Sequence, residues 1–181
     1  MGAIVVTGVP GIGKTTVMEK ASKAKKIEIV NYGTVMFEIA KKFGIENRDE
    51  LRKLSPKKQR EIQEIAAEKI HEMGDIILDT HSTIKTLKGY LPGLPEWVLK
   101  KLKPEVIVLV EAAPQEIAKR RQKDKSRERD KEMIEEIKEH QMINRYIATA
   151  YSAISGATVK IIYNHDNKVE DAAKALISVI T

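Results

Sequence analysis

The stretch Gly8-Val9-Pro10-Gly11-Ile12-Gly13-Lys14-Thr15, followed by Thr16, decides the fold of this chain. It matches the pattern G-x-x-x-x-G-K-[ST], in which the backbone N–H groups of a glycine-rich loop surround phosphates. The apolar residues 3–7 predict a short buried strand before it, and residues 16–23 predict the start of a helix after it. An ordinary tight turn needs only one or two glycines. We therefore interpret residues 8–16 as a site for the phosphates of a nucleoside triphosphate.

Polar side chains at two strand ends have predicted roles of their own. Lys14 can reach the β- and γ-phosphates, and the Thr15 hydroxyl can bind Mg²⁺. Asp79 closes the apolar run Ile-Ile-Leu-Asp, where an acid is expected to hold Mg²⁺ through water. The alternative for Asp79 is a helix cap or a surface acid. His81 either binds a phosphate, orients the acceptor or only stabilises its loop.

Composition restricts the class of protein. The chain has 181 residues, which favours one domain, and 42% hydrophobic with 32% charged residues indicates a globular protein. It has no cysteine, which excludes disulfides and thiolate metal sites and fits a reducing cytoplasm. No apolar run approaches the length of a membrane span, and no basic leader precedes the first strand. We expect a cytoplasmic protein that does not contact membranes.

The net charge of +6 indicates an anionic partner. Because many of the arginines lie late in the chain, a phosphate-rich substrate is favoured. Nucleic acid is a further possibility, but aromatic residues make up only 4% of the chain and none is interleaved with the basic cluster. Binding of single strands by stacking is therefore disfavoured.

Short apolar runs separated by helical patterns predict an α/β fold with a five-stranded parallel sheet and helices on both faces, in three αβα layers. The segment 80–95 is expected to be a loop. The strands are predicted at residues 3–7, 26–31, 75–79, 105–110 and 158–163. Helices are predicted at residues 35–42, 48–54, 56–73, 96–102, 132–154 and 169–180, and two further helices are predicted to begin at residues 16 and 114. Ligands bind such sheets at the carboxyl ends of the strands, where the glycine-rich stretch, Asp79 and His81 lie.

Residues 119–131 contain eight basic and three acidic side chains. They are either a solvated helical face or a mobile, arginine-rich lid over the transferring phosphates. Phosphoryl transfer requires charge stabilisation and exclusion of water, and the planar arginine fork grips two phosphate oxygens. Residues 31–34, Asn-Tyr-Gly-Thr, open a helix at a strand end and suit a second anion or a nucleobase, unless they are an ordinary loop and cap.

The chain resembles the archaeal-type adenylate kinases over nearly its whole length. The glycine-rich stretch alone is shared by many families. The Asp79-Thr80-His81 element and the Gly-Tyr-Leu-Pro-Gly-Leu-Pro loop at residues 89–95 are more specific. The matching motifs occur in the same order at residues 8–16, 30–34, 52–55, 78–81, 89–95, 120–130 and 156–160.

The resemblance implies a P-loop NTPase fold in one domain spanning residues 1–181, with an AMP-binding segment at 32–73 and a lid at 120–131. It implies the Mg²⁺-dependent reaction ATP + AMP = 2 ADP in a cytoplasmic homotrimer. Asn144 is also expected near the site. The resemblance assigns ATP to Gly8, Val9, Pro10, Gly11, Ile12, Gly13, Lys14, Thr15 and Thr16; AMP to Asn31, Tyr32, Gly33, Thr34, Arg52, Asp79, His81, Gln141 and Arg145; and catalysis to Lys14, Arg120, Arg121, Arg127 and Arg129.

The chain departs from the bacterial pattern of this family on the acceptor side. Phe37 stands where that pattern has an arginine that grips AMP, and the lid is short and lacks cysteines. We expect the arginine to come from elsewhere, with Arg52 as the candidate. Two alternatives stay open: a kinase for gluconate or shikimate with Asp79 or His81 as general base, and a nucleotide-dependent assembly factor acting on RNA or ribosomes.

Overall fold

The computed structural model describes residues 2–122 and 127–180, without the side chains of Asp49, Arg52 and residues 127–132. In chain order the elements are β1 (Ile4–Gly8), α1 (Lys14–Lys25), β2 (Glu28–Asn31), α2 (Tyr32–Lys41), α3 (Arg48–Lys53), α4 (Pro56–Glu72), β3 (Ile76–Asp79), β4 (Thr83–Thr86), β5 (Gly89–Pro92), α5 (Glu96–Leu102), β6 (Val106–Glu111), α6 (Pro114–Arg121), α7 (Arg127–Ser155), β7 (Thr158–Tyr163) and α8 (Val169–Ile177).

Five strands form a parallel sheet in the order β2-β3-β1-β6-β7. β1 is the central strand and is buried along its whole length, as expected for an apolar run covered on both faces. Its register pairs Val5 with Leu78 on one side and with Ile107 on the other. The carboxyl ends of β1, β2 and β3 therefore lie side by side, and Asn31 pairs with Asp79.

Helices cover both faces of the sheet, and the sheet separates two apolar clusters. On one face α2, α4, α5 and α7 pack around residues such as Leu78, Ile62 and Leu99. On the other face α1, α6 and α8 pack around residues such as Val6 and Met18. The predicted three-layer α/β fold is confirmed. No helix in the described ranges is long and apolar enough to cross a membrane.

The segment expected to be a loop at residues 80–95 instead contains the antiparallel hairpin β4–β5. Gly89, with φ of 109°, follows the turn, and Pro92 ends a strand that has only one partner in the pair, so its missing N–H is tolerated. Tyr151 on α7 holds the hairpin, because its hydroxyl donates to the Ser82 carbonyl at 2.6 Å. Gly and Pro made this segment resemble a loop, and contact with α7 overrides that local signal.

Several helix boundaries also differ from the prediction. α1 begins at Lys14 rather than at residue 16, and α2 begins at Tyr32 rather than at residue 35. α7 begins at Arg127 rather than at residue 132, so the arginines at 127 and 129 lie on its first turn. α8 ends at Ile177, three residues earlier than expected. The first turn of α7 is highly charged and lacks the apolar periodicity from which the start of a helix is predicted.

Candidate active site

The glycine-rich loop joins β1 to α1 through two left-handed residues, Gly11 and Gly13, each with φ of 82°. A Cβ atom at Gly13 would lie 2.7 Å from Asn164 Nδ2, so both space and conformation demand glycine. Gly13 also precedes the first turn of α1, which no described side chain caps. The N–H groups of this turn therefore face an open cleft of about 370 Å³, which Thr15 and Asp79 also line.

Lys14 crosses this cleft to the end of β3. Its ammonium lies 2.5 Å from Asp79 Oδ1 and donates to the Thr80 carbonyl at 2.5 Å. The side chain of Lys14 is only 11% exposed and that of Asp79 21%, so the pair is shielded from water. Attraction between the two charges is strong in such a site.

A chain of polar contacts continues from Asp79 to α2. Asn31 Nδ2 donates to Asp79 Oδ2 at 2.9 Å. The other end of the same amide, Oδ1, caps α2 by accepting from the Thr34 N–H at 2.9 Å, and it also accepts from the Thr34 hydroxyl at 3.1 Å. Residues 31–34 are thus linked through Asn31 to Asp79, which lines the cleft together with the glycine-rich loop, although these segments lie far apart in sequence.

Tyr32 and Gly33 occupy different environments within the 31–34 segment. Tyr32 is 4% exposed and packs in the apolar cluster with α4. Its hydroxyl donates to the Gln63 carbonyl at 3.0 Å, and burial raises its pKa well above the ordinary range. Gly33 is exposed beside Asn31. Tyr32 therefore anchors α2 to α4 rather than presenting its ring to the cleft.

His81 lines the cleft next to the glycine-rich loop. Desolvation, followed by repulsion from the Lys14 ammonium, lowers its pKa, while Asp79 and a hydrogen bond with Gly8 act in the opposite direction. The imidazole is therefore mostly neutral near pH 7. A neutral ring serves as a hydrogen-bonding group rather than as a positive charge for phosphate.

Oxygen atoms of Thr15 and Asp79 line the same cleft and are the hard donors that Mg²⁺ prefers. Within the described residues no group of three or more His, Cys, Asp or Glu could hold a metal ion. Such a sparse donor set fits Mg²⁺, which usually keeps several waters and takes phosphate oxygens as further ligands.

Arg120 connects two loops at the base of the predicted lid. Its guanidinium donates to the Ile12 carbonyl at 3.1 Å, to the Asn164 carbonyl at 2.8 Å and to Asp166 at 2.7 Å. Asn164 Nδ2 donates to the same Ile12 carbonyl at 2.8 Å. Arg120 is therefore a bridge between the glycine-rich loop and the β7–α8 loop.

Arg121 lies against the outer part of the glycine-rich loop. Its Nε and Nη2 both donate to the Pro10 carbonyl, the first at 2.7 Å. The side chain also packs over Gly11, where a Cβ atom would come within 2.9 Å of Arg121 Cγ. The structure brings Arg121 to the loop and leaves its charge without a carboxylate hydrogen-bond partner among the described side chains.

Three candidate arginines lie outside the described side chains. Arg52 belongs to α3, and Arg127 and Arg129 belong to the first turn of α7. Their predicted contacts with phosphates therefore stay predictions.

Gln141 and Arg145 face another cleft, of about 560 Å³, near the end of β6. The Gln141 amide pairs with the Ala112 backbone through bonds of 3.2 and 3.1 Å. Arg145 makes a two-bond ion pair with Glu111, at 2.8 and 2.5 Å, which raises the pKa of this arginine. Both side chains thus hold the β6–α6 connection and do not line the cleft of Lys14 and Asp79.

Asn144 lies between these two side chains on α7 but faces the hairpin. Its Oδ1 accepts from the Thr83 hydroxyl at 2.6 Å, and His140 Nε2 lies 2.9 Å from the same hydroxyl. Asn144 therefore anchors β4, which sequence analysis had not identified as a strand.

Two residues near the cleft were missed by sequence analysis. Asn164 supports the glycine-rich loop, and Arg48 Nη2 donates to the Thr34 hydroxyl at 3.1 Å. A polar residue directly after the apolar run 158–163 was a usable signal for Asn164, because that strand end lies at the ligand-binding edge of the sheet. No sequence signal distinguished Arg48 from Arg52.

The chain is similar to known proteins of one enzyme family. A family model described as an AAA domain matches residues 7–138. The chain is 54% identical to the adenylate kinase of Thermoplasma acidophilum over 97% of both chains. It is 55% identical to the adenylate kinase of Methanopyrus kandleri, with 98% of this chain and 96% of the relative covered. The adenylate kinase of Methanocaldococcus jannaschii is 54% identical, with 98% and 97% covered.

Solved structures of other kinases share the fold at low identity. A shikimate kinase from Bacteroides thetaiotaomicron superposes with a TM-score of 0.57 at 14% identity, covering 98% of this chain and 97% of the other. A gluconokinase from Sinorhizobium meliloti superposes with a TM-score of 0.52 at 14% identity, covering 99% and 93%. These similarities establish the three-layer α/β fold of the chain and carry no information about its acceptor.

Proposed function

The chain belongs to the archaeal adenylate kinases, and from this premise we propose how its cleft carries out the reaction ATP + AMP = 2 ADP. The observation that carries the proposal is the continuous polar path from Lys14 through Asp79 and Asn31 to Thr34. It joins a triphosphate loop to a second polar surface in one cleft. Transfer between two nucleotides needs such a double site, with donor and acceptor phosphates in line.

On the donor side, we propose that residues 8–16 bind the phosphates of ATP. The backbone N–H groups at the start of α1 supply fixed donors, and Lys14 supplies a positive charge. Lys14 is held by Asp79 and the Thr80 carbonyl before nucleotide binds. Asp79 thus holds the ammonium close to the position in which it would contact the β- and γ-phosphates. On nucleotide binding, the ammonium would exchange part of its contact with Asp79 for contacts with the phosphate oxygens.

On the acceptor side, the AMP phosphate needs no general base, because its oxygens are already ionised near pH 7. The protein has to place one of these oxygens in line with the γ-phosphate and exclude water. Asp79 and His81 line the cleft, and Asn31 and Thr34 are joined to Asp79 by hydrogen bonds. These four residues and Gly33 are proposed to contact AMP. Tyr32, Gln141 and Arg145 support the surrounding elements from their buried or distant positions.

Mg²⁺ is the proposed cofactor. When bound, it would supply positive charge that balances the transferring phosphates. The Thr15 hydroxyl would hold it directly and the Asp79 carboxylate would hold it through water, in agreement with the donor set of the cleft.

The arginines of the predicted lid are proposed to complete the site. Arg120 and Arg121 are already placed against the carbonyls of Ile12 and Pro10. In this arrangement Arg120 keeps the loop in shape, and Arg121 needs only a side-chain rotation to turn from the Pro10 carbonyl toward a phosphate. Arg127 and Arg129 are proposed to approach when residues 120–131 close over both nucleotides.

A coupled assay of purified protein tests the function directly. With ATP and Mg²⁺, we expect rapid ADP formation with AMP and none above background with gluconate or shikimate. Omission of Mg²⁺, with EDTA present, should abolish turnover. Phosphorylation of a sugar acid in place of AMP would contradict the assignment, and strong, salt-dependent RNA binding with negligible AMP phosphorylation would favour an assembly factor.

Oligomeric state and location are proposed from the resemblance alone. We propose a homotrimer in the cytoplasm, with residues 32–73 moving as the AMP-binding segment. Size-exclusion chromatography with light scattering measures the first directly, and a monomeric mass would contradict it.

A further inference from the structure

Arg48 is the first residue of α3, and its side chain reaches back to the start of α2. Its Nη2 donates to the Thr34 hydroxyl at 3.1 Å. Its guanidinium carbon lies 5.9 Å from the centre of the Phe37 ring. The ring therefore supports the guanidinium, and Thr34 orients one edge of it, while the remaining donors stay exposed.

Within the part of the chain whose side chains are described, no carboxylate compensates the charge of Arg48. Other cations of the same region are paired: Lys41 lies 2.8 Å from Glu38, and Lys58 lies 3.0 Å from Glu61. Among the described side chains, none gives Arg48 a carboxylate partner. The contacts that position Arg48 in the described structure, with Thr34 and Phe37, are to neutral groups and leave its charge able to bind an anion.

Thr34 connects this free charge to the cleft. The Thr34 hydroxyl donates to Asn31 at 3.1 Å, and Asn31 donates to Asp79 at 2.9 Å. Asp79 is negatively charged and would repel a phosphate placed next to it unless a cation balanced it on the acceptor side. Lys14 provides that balance on the donor side. Arg48 is the described cation that reaches the other end of the path.

We propose that Arg48 binds the phosphate of the acceptor AMP and thereby selects an acceptor that carries a phosphate. Phe37 takes part by supporting the guanidinium, in the place where the bacterial pattern has an arginine of its own. The inference rests on the proposed function, because it names the residue that grips the acceptor of that reaction. Arginine suits the task, since its planar fork matches two phosphate oxygens and stays charged at every physiological pH.

Steady-state kinetics of Arg48→Ala test the proposal, with Lys41→Ala as the matched control. Lys41 lies over the same Phe37 ring, with its ammonium 4.9 Å from the ring centre, but it is paired with Glu38. We expect Arg48→Ala to raise KM for AMP about tenfold or more, as for loss of a charge-assisted hydrogen-bond pair. KM for ATP should stay within about twofold, and Lys41→Ala should change neither constant by more than that.

A binding measurement separates phosphate recognition from a structural effect. AMP should raise the Tm of the wild type more than adenosine does, and Arg48→Ala should reduce this difference while the Tm without ligand stays close to that of Lys41→Ala. Arg48→Lys should recover part of the affinity, because it restores the charge but not the fork. If Arg48→Ala does not fold, Arg48→Gln takes its place in both measurements.

An unchanged KM for AMP, or equal losses for AMP and ATP, would overturn the assignment of Arg48. An inactive wild type in the ATP and AMP assay would instead overturn the proposed function. The two failures are therefore distinguishable, because the first needs an active wild-type enzyme.

Discussion

The proposed donor and acceptor halves of the site are built in different ways. The proposed donor loop is held from behind by side chains of other segments, since Asn164 and Arg120 both donate to the Ile12 carbonyl. The acceptor half depends on exposed side chains, from Asn31 through Thr34 to Arg48. A triphosphate loop thus has its shape before ligand binds. The proposed acceptor surface is held by a few side-chain hydrogen bonds at the start of α2.

Removal of the charge on the donor side should produce the largest effect. Lys14→Ala is expected to lower kcat by about 10³-fold, because the developing charge on the transferring phosphates loses its closest positive partner. The fold should persist, since α1 keeps its packing. Lys20→Ala, on the same helix and paired with Glu170 at 2.5 Å, is the control and should keep normal turnover. Wild-type kcat in Lys14→Ala would contradict the assignment of residues 8–16.

A lid arginine should affect the chemical step more than nucleotide binding. We expect Arg127→Ala to lower kcat by about 10²-fold and to change KM for ATP little, as for a contact made mainly in the transition state. Single-turnover kinetics measure the chemical step separately from product release. An unchanged rate would place Arg127 on a solvated helical face and would show that the chemical step does not require it.

Asn31 joins the two halves, so its removal should separate them. Asn31→Ala deletes the cap of α2 and the contact with Asp79. We expect a loss of about 1 kcal/mol in the free energy of unfolding, as for other caps. KM for AMP should rise about fivefold, the size of one lost hydrogen bond.

Ser55→Ala is the matched control for this variant. Ser55 caps α4 through the Lys58 N–H and lies outside the path from Lys14 to Thr34. It should lose similar stability with an unchanged KM for AMP. Equal changes of KM for AMP in both variants would show that the contact between Asn31 and Asp79 does not contribute to AMP binding.

The smallest expected effect concerns acid stability on the donor side. Hydrogen bonds from the Asp166 N–H, from His165 and from the Ala113 N–H lower the pKa of Glu116 to about 2. Because the folded-state pKa is depressed, the stabilisation is present above the ordinary value near 4.5 and is lost as pH falls toward 2. Glu116→Gln should therefore flatten the decline of Tm between pH 4.5 and pH 2.5. An identical pH profile for both proteins would contradict this role of Glu116 in holding the β7–α8 loop.

Much of the fold was predictable because its signals are local. The five apolar runs and the glycine-rich stretch correspond to β1, β2, β3, β6 and β7 and to the loop before α1. The cap Ser55 with Pro56 was also predictable from its pattern. The hairpin β4–β5 was not, since its stability depends on contacts of Tyr151 and Asn144 from a helix more than fifty residues away.

The candidate site shows the same difference between local signals, which the sequence contains, and contacts between distant segments, which it does not. Lys14 and Asp79 could be placed at the same edge of the sheet from sequence, because ligands bind parallel sheets at the carboxyl ends of the strands. The ion pair between them is seen only in the structure. Gln141 and Arg145 could not be placed, since one helical turn decides which cleft a side chain of α7 faces. Both turn toward Glu111 and Ala112.

The sequence by itself determined the family of this protein and predicted its chemistry: a loop for a triphosphate, an acid for Mg²⁺ and, through the resemblance, AMP as the acceptor. Those features depend on residues that are adjacent or regularly spaced in sequence, so they can be recognised without knowing how the rest of the chain folds. Only the tertiary structure decided how the acceptor half is arranged, with Arg48 on Phe37 and Thr34. Contacts between segments of unrelated spacing form only when the packing of α2, α3 and β3 brings them together, and no local pattern encodes that distance.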